Sequence, residues 1–169
     1  MHLVKTGFTV STIFFVTLFL VSQATYAKHV VGWVEKVSIH PGNLDVKAKI
    51  DSGARTSSLH CDCIQIKEKE GEKWVSFTVT NFKGEQVRLE RKIQRMSKIK
   101  RHFGELQERI VIKLGVCLGN VYKDIEVNVV DRTGLNYPML IGRNFLSGDF
   151  LIDTGATYTK NPRCKVDEK

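Results

Sequence analysis

Residues 44–50 alternate strictly: Leu44, Val46, Ala48 and Ile50 fall on one side, and Asp45, Lys47 and Lys49 on the other. That two-residue period predicts a half-buried strand. An apolar run around Trp33 (30–37) predicts an earlier strand, separated from it by the turn residues His40-Pro41-Gly42-Asn43. Residues 74–81 alternate again. A turn at Phe82-Lys83-Gly84-Glu85 and a second apolar-polar run over 87–93 complete a predicted hairpin. The lysine- and glutamate-rich stretch 67–73 predicts a charged turn before it. Two more strands are predicted over 108–114 and 121–130, separated by a glycine-bounded segment at 115–119. Pro138 to Gly142 leads into a predicted short helix over 143–147, and 150–152 forms a last strand. Several short strands between turns, with one helix near the end, predict a small all-β barrel or sandwich.

Composition agrees with this pattern. The chain has 169 residues with 13 glycines and only 3 prolines, enough for one domain rich in strands and turns. The N-terminus has a different character. Lys5 precedes an uncharged stretch from Thr6 to Ala27, with its apolar heart at 8–21 and small residues near Ala24 and Ala27. This predicts a signal peptide over 1–27 and a domain over 28–169, periplasmic or secreted. An uncleaved membrane anchor is the competing reading.

The net charge is +8. For an exported chain, an anionic envelope surface suits that balance better than nucleic acid, which is not expected as a partner. Much of the charge sits at 88–101, where seven cations accompany the single acid Glu90. A solvated strand and loop is the plain alternative there. No aromatic residues interleave with these cations, so a nucleic-acid groove is not indicated.

Cys61, Cys63, Cys117 and Cys164 could form disulfides in an oxidising compartment, in any of three full pairings. A Cys61–Cys63 bridge would close a strained ring. His60-Cys61-Asp62-Cys63 is the one cluster with metal-ligand chemistry, but its spacing is not that of a zinc knuckle. A strand carrying two cysteines is the preferred reading. Neither G-x-x-x-x-G-K-[ST] nor H-E-x-x-H occurs, so no cofactor and no metal are expected.

The predicted strand 44–50 runs directly into Asp51-Ser52-Gly53-Ala54. Gly53 permits a tight turn and Ser52 can hold it by local hydrogen bonds, which would present the Asp51 carboxylate at the rim of a packed sheet. Two carboxylates brought together in this way cannot both ionise easily. One keeps a proton, the pair titrates as a unit, and the two can act as base and acid on a shared water. Ninety residues further on stands Met139-Leu140-Ile141-Gly142-Arg143-Asn144.

Together these two stretches resemble the retropepsin-like aspartic proteases, in which a strand ends in Asp-Ser/Thr-Gly-Ala and a later Ile-Gly-Arg opens a helix. The chain is most similar to the bacterial, export-associated group named ATP-dependent zinc proteases. Supporting segments are Gly32-Trp33-Val34-Glu35, Lys49 to His60, Glu108-Arg109 and Tyr137 to Arg143. The resemblance implies a small closed barrel of the single-lobed acid protease type with one short C-terminal helix. It implies Asp51, Ser52 and Gly53 as catalytic residues, and Ala54, Arg55, Ile141, Gly142 and Arg143 as substrate-binding residues. It further implies an endopeptidase acting on peptide or protein, with the dyad completed across a homodimer and a flap formed by 74–93.

Leu151-Ile152-Asp153-Thr154-Gly155-Ala156 looks like a second copy of the motif, but only 16 residues follow Asp153, too few for another lobe. Asp153 is expected to be structural. Two other functions are kept in view. One is an inactive envelope module on the same fold that binds peptide or anionic ligands. The other is a metalloprotease using His60, Cys61 and Cys63.

Overall fold

The computed structural model describes residues 27–100 and 106–166. The predicted signal peptide lies outside them except for Ala27.

The alternation at 44–50 is realised in full. In strand β2 (Leu44–Ile50), Leu44, Val46, Ala48 and Ile50 are buried while Lys49 is exposed. β2 pairs antiparallel with β1 (His29–His40) and in parallel with β9 (Met139–Ile141). β9 in turn pairs with β3 (Ser57–His60), β3 with β8 (Val121–Val130), and β8 with β7 (Leu106–Leu118). The far end of β7 returns to β1 through Ser38 opposite Cys117 and His40 opposite Gly115. These pairings close a six-stranded barrel, so the all-β fold with a small closed barrel and one short helix is the fold observed. Its interior holds Ile39, Val46, Leu59, Ile112, Val127 and Met139, all essentially inaccessible. Helix α1 (Arg143–Leu146) plugs one side with Phe145, which stacks on Phe150.

Three strands extend the sheet beyond the barrel: β4 (Asp62–Lys69), β5 (Glu72–Thr80) and β6 (Gln86–Lys100). Several predicted boundaries move here. The charged stretch 67–73 is mostly strand, and only Glu70 and Gly71 turn, both with positive φ. Exposed strands tolerate lysine and glutamate, and Lys69 pairs across the sheet with Glu90. The segment 115–119 does not separate two strands until Gly119, because β7 runs on to Leu118. Gly115 sits inside β7 because a Cβ there would lie 2.2 Å from the Tyr122 hydroxyl.

The last strand, β10 (Phe150–Thr157), pairs in parallel with β1 at the sheet edge. The chain then folds back over the barrel end. Fully buried Glu35 holds this strap: its Oε1 accepts from Gly32 N, Thr159 N and Thr159 Oγ1, and its Oε2 from Lys160 N. Cys117 and Cys164 form a disulfide that fastens the strap's far end to β7. Cys61 is a buried free thiol.

Candidate active site

β2 delivers Asp51 to its position, and backbone bonds fix it there. Asp51 N donates to Ile141 O at 2.9 Å, tying the turn to the end of β9. The carboxylate folds back over its own turn, with Oδ1 accepting from Gly53 N at 2.9 Å and Ala54 N at 3.2 Å. No described residue bonds its second oxygen. The carboxylate is therefore oriented by two N–H groups and keeps one oxygen available.

A second layer locks the turn. Arg143 Nη1 donates to Ser52 O and Gly53 O, both at 2.8 Å. Arg143 N donates to Ala54 O and Asn144 N to Arg55 O. Fully buried Ser57 accepts from Gly142 N through Oγ at 3.0 Å and donates that hydroxyl to Asn144 Oδ1 at 2.9 Å. Gly142 is needed for close approach: a Cβ there would lie 2.9 Å from Ala54 O and from Thr56 C.

The predicted substrate-binding residues therefore divide. Ala54 and Arg55 line an open cleft beside Asp51. Ile141 is fully buried and Gly142 packs on the backbone of 54–57, so both support the turn from behind. Arg143 is exposed, and its guanidinium holds the turn's carbonyls.

The cleft has a volume of about 590 Å³. Besides Ala54 and Arg55 its lining includes Arg95, Arg109, Asn128 and Arg132, together with the acid Glu126. Arg132 is half-buried; desolvation, then the charge of Arg109, lowers its pKa, while the Asp51 carboxylate pulls it back up. Its Nη1 donates to Ser58 Oγ and its Nε to Tyr137 O. Arg109 is steadied by Gln107, and Arg95 forks onto Glu126, whose carboxyl that bond holds below the usual range.

The floor of the cleft is one register row of the barrel's outer face. Lys49 lies opposite Leu140, Leu140 opposite Ser58, Ser58 opposite Asn128, and Asn128 opposite Val111. Paired residues project to the same face, so this row explains why two polar residues, Ser58 and Asn128, are buried under a cover.

That cover is not the predicted flap. The turn of the 74–93 hairpin lies at the wrong end of β2: Lys47 Nζ sits 4.8 Å from the Phe82 ring, and a Cβ on Gly42 would meet Val87 at 2.5 Å. β6 is 15 residues long and changes partner along its length. Its first half pairs with β5 far from Asp51, and its second half pairs with β7. Arg95, Ser97, Ile99 and Arg109, on the β6–β7 ribbon, overhang Ala54 and Arg55.

His60 and Asp153 are elsewhere. His60 Nδ1 accepts the Arg132 backbone N–H at 2.9 Å, and its Nε2 lies 3.4 Å from Asp62. Nδ1 already serves the loop that carries Arg132. Asp153 accepts Gly155 N at 2.9 Å, as Asp51 accepts Gly53 N, but it lies within the exposed edge strand β10 opposite Gly32 rather than in a turn.

A model of the family described as retropepsin-like aspartic endopeptidase RimB matches residues 30–163. The chain belongs to this family. Its two motif stretches, around Asp51 and Gly142, both lie within the match. Among similar proteins is one named probable alpha-L-glutamate ligase from Shewanella halifaxensis, 36% identical over 116 residues, 67% of this chain and 25% of that protein. Another of the same name, from Desulfotalea psychrophila, is 34% identical over 131 residues, 75% of this chain and 28% of that protein. The chain thus spans about a quarter of the length of the curated relatives it matches. A crystal structure from Legionella pneumophila, described as a protein of unknown function, superposes with a TM-score of 0.67 and 31% identity. It covers 79% of this chain and 98% of that one.

Neither Arg132 nor Asn128 stands out in the sequence motifs. Asn128 had a visible signal, since a carboxamide inside the apolar run Val127-Asn128-Val129-Val130 must find a purpose for its polar atoms. Arg132 had none, because it follows β8 in a loop and reaches the site only through the fold.

Proposed function

We propose that this chain is an exported aspartic endopeptidase that cuts acidic peptide segments as a homodimer. The Asp51 turn carries the reading: a strand-end carboxylate with one oxygen held by Gly53 N and Ala54 N and the other left open, beside an arginine-lined cleft. One chain supplies one such carboxylate. A twofold axis through the turn brings the second Asp51, and the two share one proton. The ionised member takes a proton from a water as its oxygen attacks the scissile carbonyl carbon. The protonated member gives its proton to the carbonyl oxygen. Collapse of the tetrahedral intermediate breaks the C–N bond and passes a proton to the leaving amine. The β6–β7 ribbon serves as the flap in this scheme.

The acidic substrate rests on Arg55, Arg109 and Arg132, whose guanidinium groups match carboxylates. The ligase name of relatives containing the same segment supports it. Export is supported by the apolar N-terminal run and the Cys117–Cys164 disulfide. The basic strand β6 suits an anionic envelope surface. The arginine cleft also favours a second reading, a module that holds acidic polymer without cutting it.

The test uses purified chain and Asp51→Asn with a peptide bearing a poly-α-L-glutamate tail at mildly acidic pH, read by mass spectrometry. Fragments from the parent chain alone are expected. Equal cleavage by both removes Asp51 from the chemistry. Binding by both with cleavage by neither establishes the second reading.

A further inference from the structure

The acidic-peptide reading explains the arginines but not Asn128. This residue is only 4% exposed, yet it lines the cleft. Its Nδ2 points at Ser57 O, 3.4 Å away. That carbonyl fixes the carboxamide's orientation, since turning it over would set two oxygens against each other. Its Oδ1 is therefore directed away from Ser57, and it has no hydrogen-bond partner among the described residues. A buried acceptor without a donor is costly and uncommon. Ser58, next to it in the register row, accepts Arg132 Nη1 through its hydroxyl oxygen.

Three of the four arginines that line the cleft already have partners. Arg132 is committed to Ser58 and Tyr137, Arg95 to Glu126, and Arg109 to Gln107. The site thus offers cationic donors for an anion and, at its floor, one acceptor. A carboxylate alone satisfies only the first. A peptide residue that carries a carboxylate side chain also carries a main-chain N–H.

The geometry points to Asn128 as a main-chain reader: Oδ1 accepts the amide N–H of the acidic substrate residue whose carboxylate lies against Arg109 and Arg132. This inference rests on the acidic-peptide reading and extends it. The arginines select charge, and Asn128 sets the register of the bound backbone. It also discriminates secondary amides from free dicarboxylates, because only the former bring an N–H to the floor. Asn128 is a positioning residue here, since the water that attacks the substrate's scissile carbonyl is activated at Asp51.

The test is a binding cycle that does not depend on hydrolysis. The full chain carrying Asp51→Asn is titrated calorimetrically with tetra-α-L-glutamate and with the same peptide N-methylated at one internal amide at a time. One methylation is expected to weaken binding about tenfold, the loss of a single hydrogen bond made at a desolvated site. In the additional variant Asn128→Ala, that methylation should have no further effect. Asn128→Thr, which keeps a side-chain oxygen, guards against loss of fold and should retain part of the sensitivity, with thermal unfolding confirming that each variant is folded. The inference is overturned if no single methylation matters, if the penalty is equal with and without Asn128, or if the tetrapeptide does not bind. Should the parent chain hydrolyse nothing while the cycle holds, the protease reading fails and the role of Asn128 stands.

Discussion

Replacing Ser57 by alanine tests whether the Asp51 turn is held from behind. Ser57 is fully buried, and its hydroxyl links β3 to the helix start by accepting Gly142 N at 3.0 Å and donating to Asn144 Oδ1 at 2.9 Å. Alanine fits the space, so the change removes a hydroxyl without adding bulk. Ser57 N keeps its bond to Asn144 Oδ1 at 3.0 Å. Gly142 N is left buried with no acceptor, a cost of about 2 kcal/mol. For a domain of this size that lowers Tm by roughly 4–8 °C. The effect should also reach the chemistry, because Gly142 lies between the two groups that hold the turn, Ile141 O and the Arg143 side chain. Hydrolysis of the glutamate-tailed peptide should fall in kcat more than in KM. Differential scanning calorimetry and steady-state kinetics read the two effects. A Tm within about 1 °C of the parent, together with unchanged kcat, would refute the reasoning, since that combination means water or a small shift replaces the serine.

Other consequences follow from the same geometry. Arg109→Gln removes a cationic donor from the cleft and should weaken acidic-peptide binding by about 10- to 100-fold at low salt, with a smaller loss at high salt because screening already weakens the parent; calorimetry at two salt concentrations measures both. Glu35→Ala takes away the acceptor of four bonds to residues 32, 159 and 160, so the strap should become cleavable by a nonspecific protease at 158–163 while the barrel resists, as mapped by mass spectrometry. Burial, then the charges of Asp62 and Asp131, pushes the Cys61 thiol up to about 12. The folded form therefore keeps its proton where the unfolded thiol has already lost one, and stability should fall as pH rises from the ordinary thiol range toward 12. Cys61→Ala should flatten that decline in urea titrations run at increasing pH.

What the sequence disclosed depended on how locally each feature is determined. The β2 alternation lies within one strand, and the Asp51 carboxylate's bonds to its own turn span three residues, so both read directly from the chain. The Ile141-Gly142 partner was legible as a motif, though its job was not: burial turns Ile141 and Gly142 into supports, which no local pattern reveals. β3 is four residues long and stabilised by parallel pairing with β8, so its sequence, Ser57-Ser58-Leu59-His60, carries little strand signal of its own. The flap was misplaced because β6 serves two hairpins. Its first half has a plain alternating pattern and drew the assignment. Its second half, rich in lysine and arginine, suggests an anionic partner or a solvated strand and loop, and nothing local shows that it pairs with β7 beside the cleft. Arg132 shows the limit most clearly, since it meets Ser58 across 74 residues of chain.

The claim on which the account turns is that one Asp51 is half of a catalytic centre. Mixing the parent chain with Asp51→Asn at fixed total concentration, with time for subunit exchange, measures it directly through the initial rate of tail cleavage. If both carboxylates are required, an equimolar mixture retains about a quarter of the parent rate, because only parent–parent pairs cut. A rate of about one half would mean that each chain works alone, and would contradict the shared dyad.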